Sequence, residues 1–131
     1  MPDRNRIRVV VAEDDPIQRA AMVDLIKATK PEWRVVADTA TVADTEAAVK
    51  AHRAHAAVLD LHLRGMRDTR WIQALAAQMP VLCVTGETDT GAWQGGLLTL
   101  LQVLKPLTRV KMTEALDWLE KAIAARQAAS P

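Results

Sequence analysis

Short apolar runs, each followed by a longer stretch with helical spacing, recur along this chain, and no other feature restricts its fold more. The runs are Ile7 to Ala12 (IRVVVA), Arg34 to Asp38 (RVVAD), Ala56 to Leu61 (AAVLDL), Val81 to Thr85 (VLCVT) and Leu100 to Leu104 (LLQVL). Runs this short and this apolar read as strands, most of them buried on both faces. Asp15 offers a side-chain cap and Pro16 suits the first helical position. Ile17, Ala21, Met22, Leu25 and Ile26 then follow at helical spacing until Pro31. Thr41-x-x-Asp44 has the form of a capping box, with Asp in place of Glu, and opens an Ala-rich helix reaching Arg53. A third helix is expected over Asp68 to Gln78. A fourth, around Ala92 to Leu97, has to hold Gly95 and Gly96, each costing about 1 kcal/mol against Ala in a helix interior, so it is expected to be short or irregular. The last, Val110 to Arg126, puts Met112, Leu116, Leu119 and Ile123 on one face. Strand–helix alternation five times over implies an α/β fold, a doubly wound parallel sheet with helices on both faces. Right-handed crossovers then bring functional groups to the carboxyl ends of the strands.

At 131 residues the chain suits one domain, expected over 1–131 with its core at about 7–126 and no separate output domain. A net charge of +1 gives no global case for nucleic acid or a membrane surface. The lone Cys83 forms no internal disulfide and reads as a small buried hydrophobe, which favours a reducing, cytoplasmic setting. No stretch approaches the roughly 18 apolar residues of a membrane span. With four Trp but neither Phe nor Tyr, the core has to be built mainly from aliphatic side chains.

Polar residues placed on this map converge. Glu13 and Asp14 follow the first strand, Asp60 stands near the end of the third, Thr85 ends the fourth and Lys105 follows the fifth. In a sheet of order 2-1-3-4-5, all five share one edge. Oxygen-only ligands suit a hard divalent cation, and Mg2+ typically takes one or two carboxylates alongside waters and substrate oxygens. Such a cation would offset repulsion among Glu13, Asp14 and Asp60. An ionised Asp60 beside it is equipped to attack phosphorus, with Lys105 and the Thr85 hydroxyl facing the charge of the transferred group. Asp15 is explained by its cap position and is left out of the metal set.

The segments AEDDP, VLDL, VTG and LKP, in that order at successive strand ends, resemble the receiver (response-regulator) domains of two-component signalling. The resemblance covers nearly the whole chain and implies the flavodoxin-like, or CheY-like, (βα)5 fold. It implies that Asp60 is the phosphoacceptor, charged by a histidine kinase or histidine phosphotransfer protein. It also implies Thr85 as the switch hydroxyl and Lys105 as the phosphoryl contact, with Lys105-Pro106 in the cis form. Mg2+ would be held by Glu13, Asp14, Asp60 and the main-chain carbonyl of His62. Such a domain is not an enzyme beyond its self-catalysed phosphotransfer and autodephosphorylation. It signals to a downstream protein or to a DNA-binding output domain on another chain or a missing segment. A homodimer through the fourth helix, fifth strand and last helix is a further expectation. Trp118, on a face with Lys111, Glu114 and Lys121, is expected to be exposed on that surface, and Trp93 is placed similarly. His62 and Glu87 would face each other across the cleft rim.

Departures from the family pattern fall after the acceptor. Arg64-Gly65 replaces Pro-Gly, Arg67-Asp68 replaces Asp-Gly, and Gln102 stands where the family carries a switch aromatic. They keep open a degenerate receiver that works as a phosphorylation-independent interaction module. The AEDDP and PEW segments also resemble the N-terminal receivers of LytTR-type transcription factors. An aspartyl-phosphate hydrolase would need a second carboxylate two residues after Asp60, where His62 stands.

Overall fold

The computed structural model describes residues 6–61, 63–66, 70–86 and 100–129. In chain order its elements are β1 (Arg8–Ala12), α1 (Pro16–Thr29), β2 (Arg34–Thr39), α2 (Val42–His52), β3 (Ala56–Asp60), α3 (Arg70–Ala76), β4 (Val81–Thr85), β5 (Leu100–Leu104) and α4 (Arg109–Ala129). The strands form a parallel sheet of order β2-β1-β3-β4-β5, the order expected from the alternation. Observed ends differ from the expected ones by a few residues, as frayed termini do. The expected helix at 92–97, with Gly95 and Gly96, lies outside the described residues, as do Arg67, Asp68 and Trp93.

Side-chain alternation divides the core into two layers. Val9, Val11, Val58, Leu82 and Val84 face α1 and α4, where they meet Met22, Ile26, Met112, Leu116, Leu119 and Ile123. Ala57, Leu59, Val81 and Cys83 face the other way, toward Ile72, Leu75 and Met79, with Val42 and Val49 of α2 alongside. A sheet covered on both faces has no polar side to show, which is why these strands read as continuous apolar runs. Burying each Leu, Ile or Val contributes about 1.5–3 kcal/mol.

The starts of the helices follow their caps. Asp15 accepts from the N–H groups of Ile17 and Gln18, and Thr41 accepts from that of Asp44. The Thr108 hydroxyl accepts from Lys111 N–H at 3.1 Å at the start of α4. Two expectations about exposure are corrected. Ile17 belongs to the helical apolar pattern but is 80% exposed. It lies about 140° around the helix from Met22, in a first turn above the sheet edge where no described residue covers it. Trp118 is half-buried and packs against the first core layer rather than standing clear on the surface.

β1 and β2 do not pair evenly. Val9 is opposite Val35, but Val10 is opposite Ala37, so β2 carries one extra residue, Val36, at that point. Beyond β3, Gly65 has φ of +90°, a backbone that favours glycine. The Arg64 carbonyl accepts from Val42 N–H at 2.9 Å, tying this loop to the start of α2. Glycine thus keeps its turn-forming place although Arg64 stands before it. No helix among the described residues is long and apolar enough to cross a membrane.

Candidate functional site

Every strand runs parallel, so the ends of β1, β3, β4 and β5 deliver their polar residues to the same edge. One carboxylate oxygen each from Glu13, Asp14 and Asp60 lies within 4.8 Å of the other two. Glu13 and Asp60 are buried and Asp14 is half-buried. Thr85 is buried at the end of β4, and its carbonyl accepts from Lys105 N–H at 2.7 Å. The Lys105 ammonium lies 3.1 Å from Asp60 Oδ1. Lys105-Pro106 is cis. The side chains of Glu13, Asp14, Asp60 and Lys105 therefore meet in one cleft, and Thr85 ends the strand beside them. His62 and Glu87, expected at its rim, lie outside the described residues.

Glu13 carries the electrostatic signature of the site. Its Oε1 accepts from Asp15 N–H at 3.2 Å, while its Oε2 is buried with no hydrogen-bond partner among the described residues. Burial pushes its carboxyl up, the Asp15 N–H pulls it down, and the charge of Asp60 pushes it up again, to about 7. Lys105 is pulled down by burial, but the hydrogen bond to Asp60 and the charges of Asp60, Glu13 and Asp14 outweigh this and raise it. Among the described residues, one ammonium faces three carboxylates, which leaves the cluster short of positive charge. A buried oxygen lacking a donor, beside two further carboxylates, fits a hard cation such as Mg2+. Glu13, Asp14 and Asp60 are the described residues able to hold it.

Asp15, three residues from Ala12, stays out of this cluster and caps α1, as its place before Pro16 suggests. Cys83 is buried in β4, in the second core layer, as a small hydrophobe would be.

Supporting residues that the sequence pattern did not single out come from the helices. Arg19 Nη1 donates to the Glu13 carbonyl at 2.9 Å, and its Nε donates to Asp38 Oδ1 at 3.0 Å. Lys111 donates to the carbonyls of Leu104 at 3.0 Å and Pro106 at 3.3 Å, bracketing Lys105. Gln18 Oε1 accepts from Lys105 Nζ at 3.0 Å. The available signal for Gln18 and Arg19 was their place in the first turn after the acidic segment, at the edge where the other groups gather.

Residues 9–117 match the family described as the response regulator receiver domain. A search of curated proteins finds no match. Among solved structures, SdrG from Sphingomonas melonis Fr1 is 29% identical, with a TM-score of 0.67 over 88% of this chain and 97% of that one. The signal receiver domain of NarL from Mycobacterium tuberculosis is 26% identical, with a TM-score of 0.68 over 88% of this chain and 97% of that one. The signal receiver domain of a modulated diguanylate cyclase from Desulfovibrio desulfuricans G20 shares the fold at 17% identity, with a TM-score of 0.76 over 96% of this chain and all (100%) of that one.

Proposed function

Because this chain belongs to the response regulator receiver domains, we propose that it accepts a phosphoryl group on Asp60 from a phosphohistidine donor and signals by protein contact. Receiver domains are signalling modules rather than enzymes in the ordinary sense. They commonly pair with histidine kinases and with DNA-binding output domains. The observation that carries the reading is the buried Asp60 carboxylate, 3.1 Å from the Lys105 ammonium and clustered with Glu13 and Asp14.

The chemistry follows from those positions. An Asp60 carboxylate oxygen forms a bond to phosphorus as the donor's P–N bond breaks. The donor imidazole, protonated on its other nitrogen, leaves as the neutral ring. Charge on the carboxylate passes outward to the phosphoryl oxygens, where the Lys105 ammonium faces it. The Thr85 hydroxyl has the chemistry to donate to one of those oxygens. Mg2+, bound by Glu13, Asp14 and Asp60 with the His62 main-chain carbonyl, would neutralise charge among the carboxylates and on the phosphoryl group. The setting is cytoplasmic, where a histidine kinase or histidine phosphotransfer protein supplies the donor.

Incubation with a small phosphodonor and Mg2+, followed by intact-mass measurement, tests this. One added phosphoryl group in the wild type and none in Asp60→Asn supports the reading. SdrG, 27% identical in its BeF3-activated conformation, suggests a second probe: BeF3 with Mg2+ should shift amide signals around Asp60. Gln102, exposed on β5 where the family has an aromatic, favours one rival, a phosphorylation-independent interaction module. No mass gain at saturating donor would select that rival.

A further inference from the structure

Resting on the phosphoacceptor reading, we propose that Gln18 is a positioning residue for Lys105, holding the lysine ammonium over the Asp60 side of the cleft before and after phosphoryl transfer. Two of the three ammonium donors are accounted for by Asp60 Oδ1 at 3.1 Å and Gln18 Oε1 at 3.0 Å. At its other end Gln18 Nε2 donates to Asp15 Oδ2 at 3.4 Å. Asp15 Oδ1 is fixed in turn by the N–H groups of Ile17 at 2.9 Å and Gln18 at 3.3 Å. Chemistry dictates which way the amide faces. An ammonium has no lone pair and an ionised carboxylate no proton, so the amide oxygen turns to Lys105 and its nitrogen to Asp15. The start of α1 orients Asp15, Asp15 orients Gln18, and Gln18 orients Lys105.

A lysine needs such help more than an arginine would, because its charge ends a flexible four-carbon stem. The Lys105 side chain is 35% exposed, against 5% for Asp60, so one end of the pair is free to leave for water. Phosphorylation also moves the negative charge that Lys105 faces from the carboxylate to the phosphoryl oxygens. The Gln18 contact does not depend on that charge and persists through the change. A glutamate at this place would add a fourth carboxylate to a cleft already short of positive charge. The neutral amide offers the same acceptor without that penalty.

The test uses intact protein, a small phosphodonor and Mg2+. Gln18→Ala should label about fivefold more slowly at saturating donor, the scale of one partly exposed hydrogen bond to a charged group, with Mg2+ affinity unchanged. The substitution puts the best helix former on an exposed helical position, so folding should be intact, which circular dichroism checks. In a Lys105→Ala background the same change should have no further effect, since the partner it positions is gone. Without donor or Mg2+, the Lys105 side-chain 15N signal should be protected from exchange in the wild type and broadened in Gln18→Ala. A Gln18→Ala protein that labels at the wild-type rate, or a slowing of equal size with and without Lys105, overturns the assignment. A wild-type protein that takes up no label is a different result: it sinks the phosphoacceptor reading, and this inference with it.

Discussion

Lys30 and Lys105 each face a group of carboxylates, but the two clusters are built in opposite senses. At the end of α1 remote from the cleft, Lys30 lies 2.8 Å from Asp117 and 3.5 Å from Glu120. There the cation is the sheltered partner, its side chain 15% exposed, while the acids are 53% and 46% exposed. Trp33 lies beneath, its ring centroid 5.9 Å from the ammonium and its Nε1 donating to Glu120 at 3.4 Å. At the cleft the acids are sheltered and the cation stands at the rim. The first arrangement leaves its negative charges hydrated and ties the α1–β2 connection to α4 at little electrostatic cost. Among the described residues, the second gathers three carboxylates around one ammonium and leaves Glu13 Oε2 without a donor. Nothing about the fold requires that imbalance, which suits the cation and phosphoryl group of the proposed function.

The largest effect expected from breaking this contrast is at the cleft. Asp14→Asn should weaken Mg2+ binding by tenfold or more, read by titration calorimetry, whereas Lys30→Met should leave it unchanged. Next, Mg2+ at about one hundred times its Kd should stabilise the wild type by about 2.7 kcal/mol, seen as a rise in Tm. At the same Mg2+ concentration that rise should shrink in Asp14→Asn and persist in Lys30→Met. Without the cation the order of stabilities reverses. Lys30→Met should cost about 1 kcal/mol by urea unfolding, the scale of a partly exposed ion-pair group. Asp14→Asn should then be neutral or slightly stabilising, because it removes one of the repelling charges. The smallest effect is in pH. The hydrogen bond to Asp117 leads the causes that raise Lys30 above its ordinary 10.5, with burial working against it. That contribution is fully present below pH 10.5 and is lost as the pH rises through the higher folded value. The stability gap between wild type and Lys30→Met should therefore narrow on going above pH 10.5.

The sheet was legible because its strands are covered on both sides, so Val9 to Ala12 and Val81 to Val84 show no polar break until the edge is reached. The gathering of polar groups at one edge was legible for the same reason: an acid, a hydroxyl or a lysine interrupting such a run has few structural explanations. What escaped depends on neighbours distant in the chain. Ile17 fits the helical pattern of α1, and periodicity carries no information on where the sheet beneath it stops. Trp118 falls on the polar side of α4 by spacing, yet its large ring reaches back to the core. Gln18 and Arg19 are ordinary polar residues of a first helical turn. Their meaning comes from Lys105, 87 residues away, and from Asp38 on β2.

The extra residue in β2 has a consequence for Asp38. Side chains alternate between the faces of a strand, so one inserted residue reverses the facing of everything after it. Val35, before the insertion, shares the α1 side with Val9, and Asp38, after it, shares that side with Val11. Without Val36 as an extra residue, Asp38 would fall opposite Ala12 and turn to the α2 side, out of reach of Arg19. Thr39 would turn the other way and lose its 2.7 Å contact with Thr45. The bulge thus acts as a parity switch: a local irregularity between the edge strand β2 and the buried β1 decides whether the arginine that grips the acidic loop has anything to brace against.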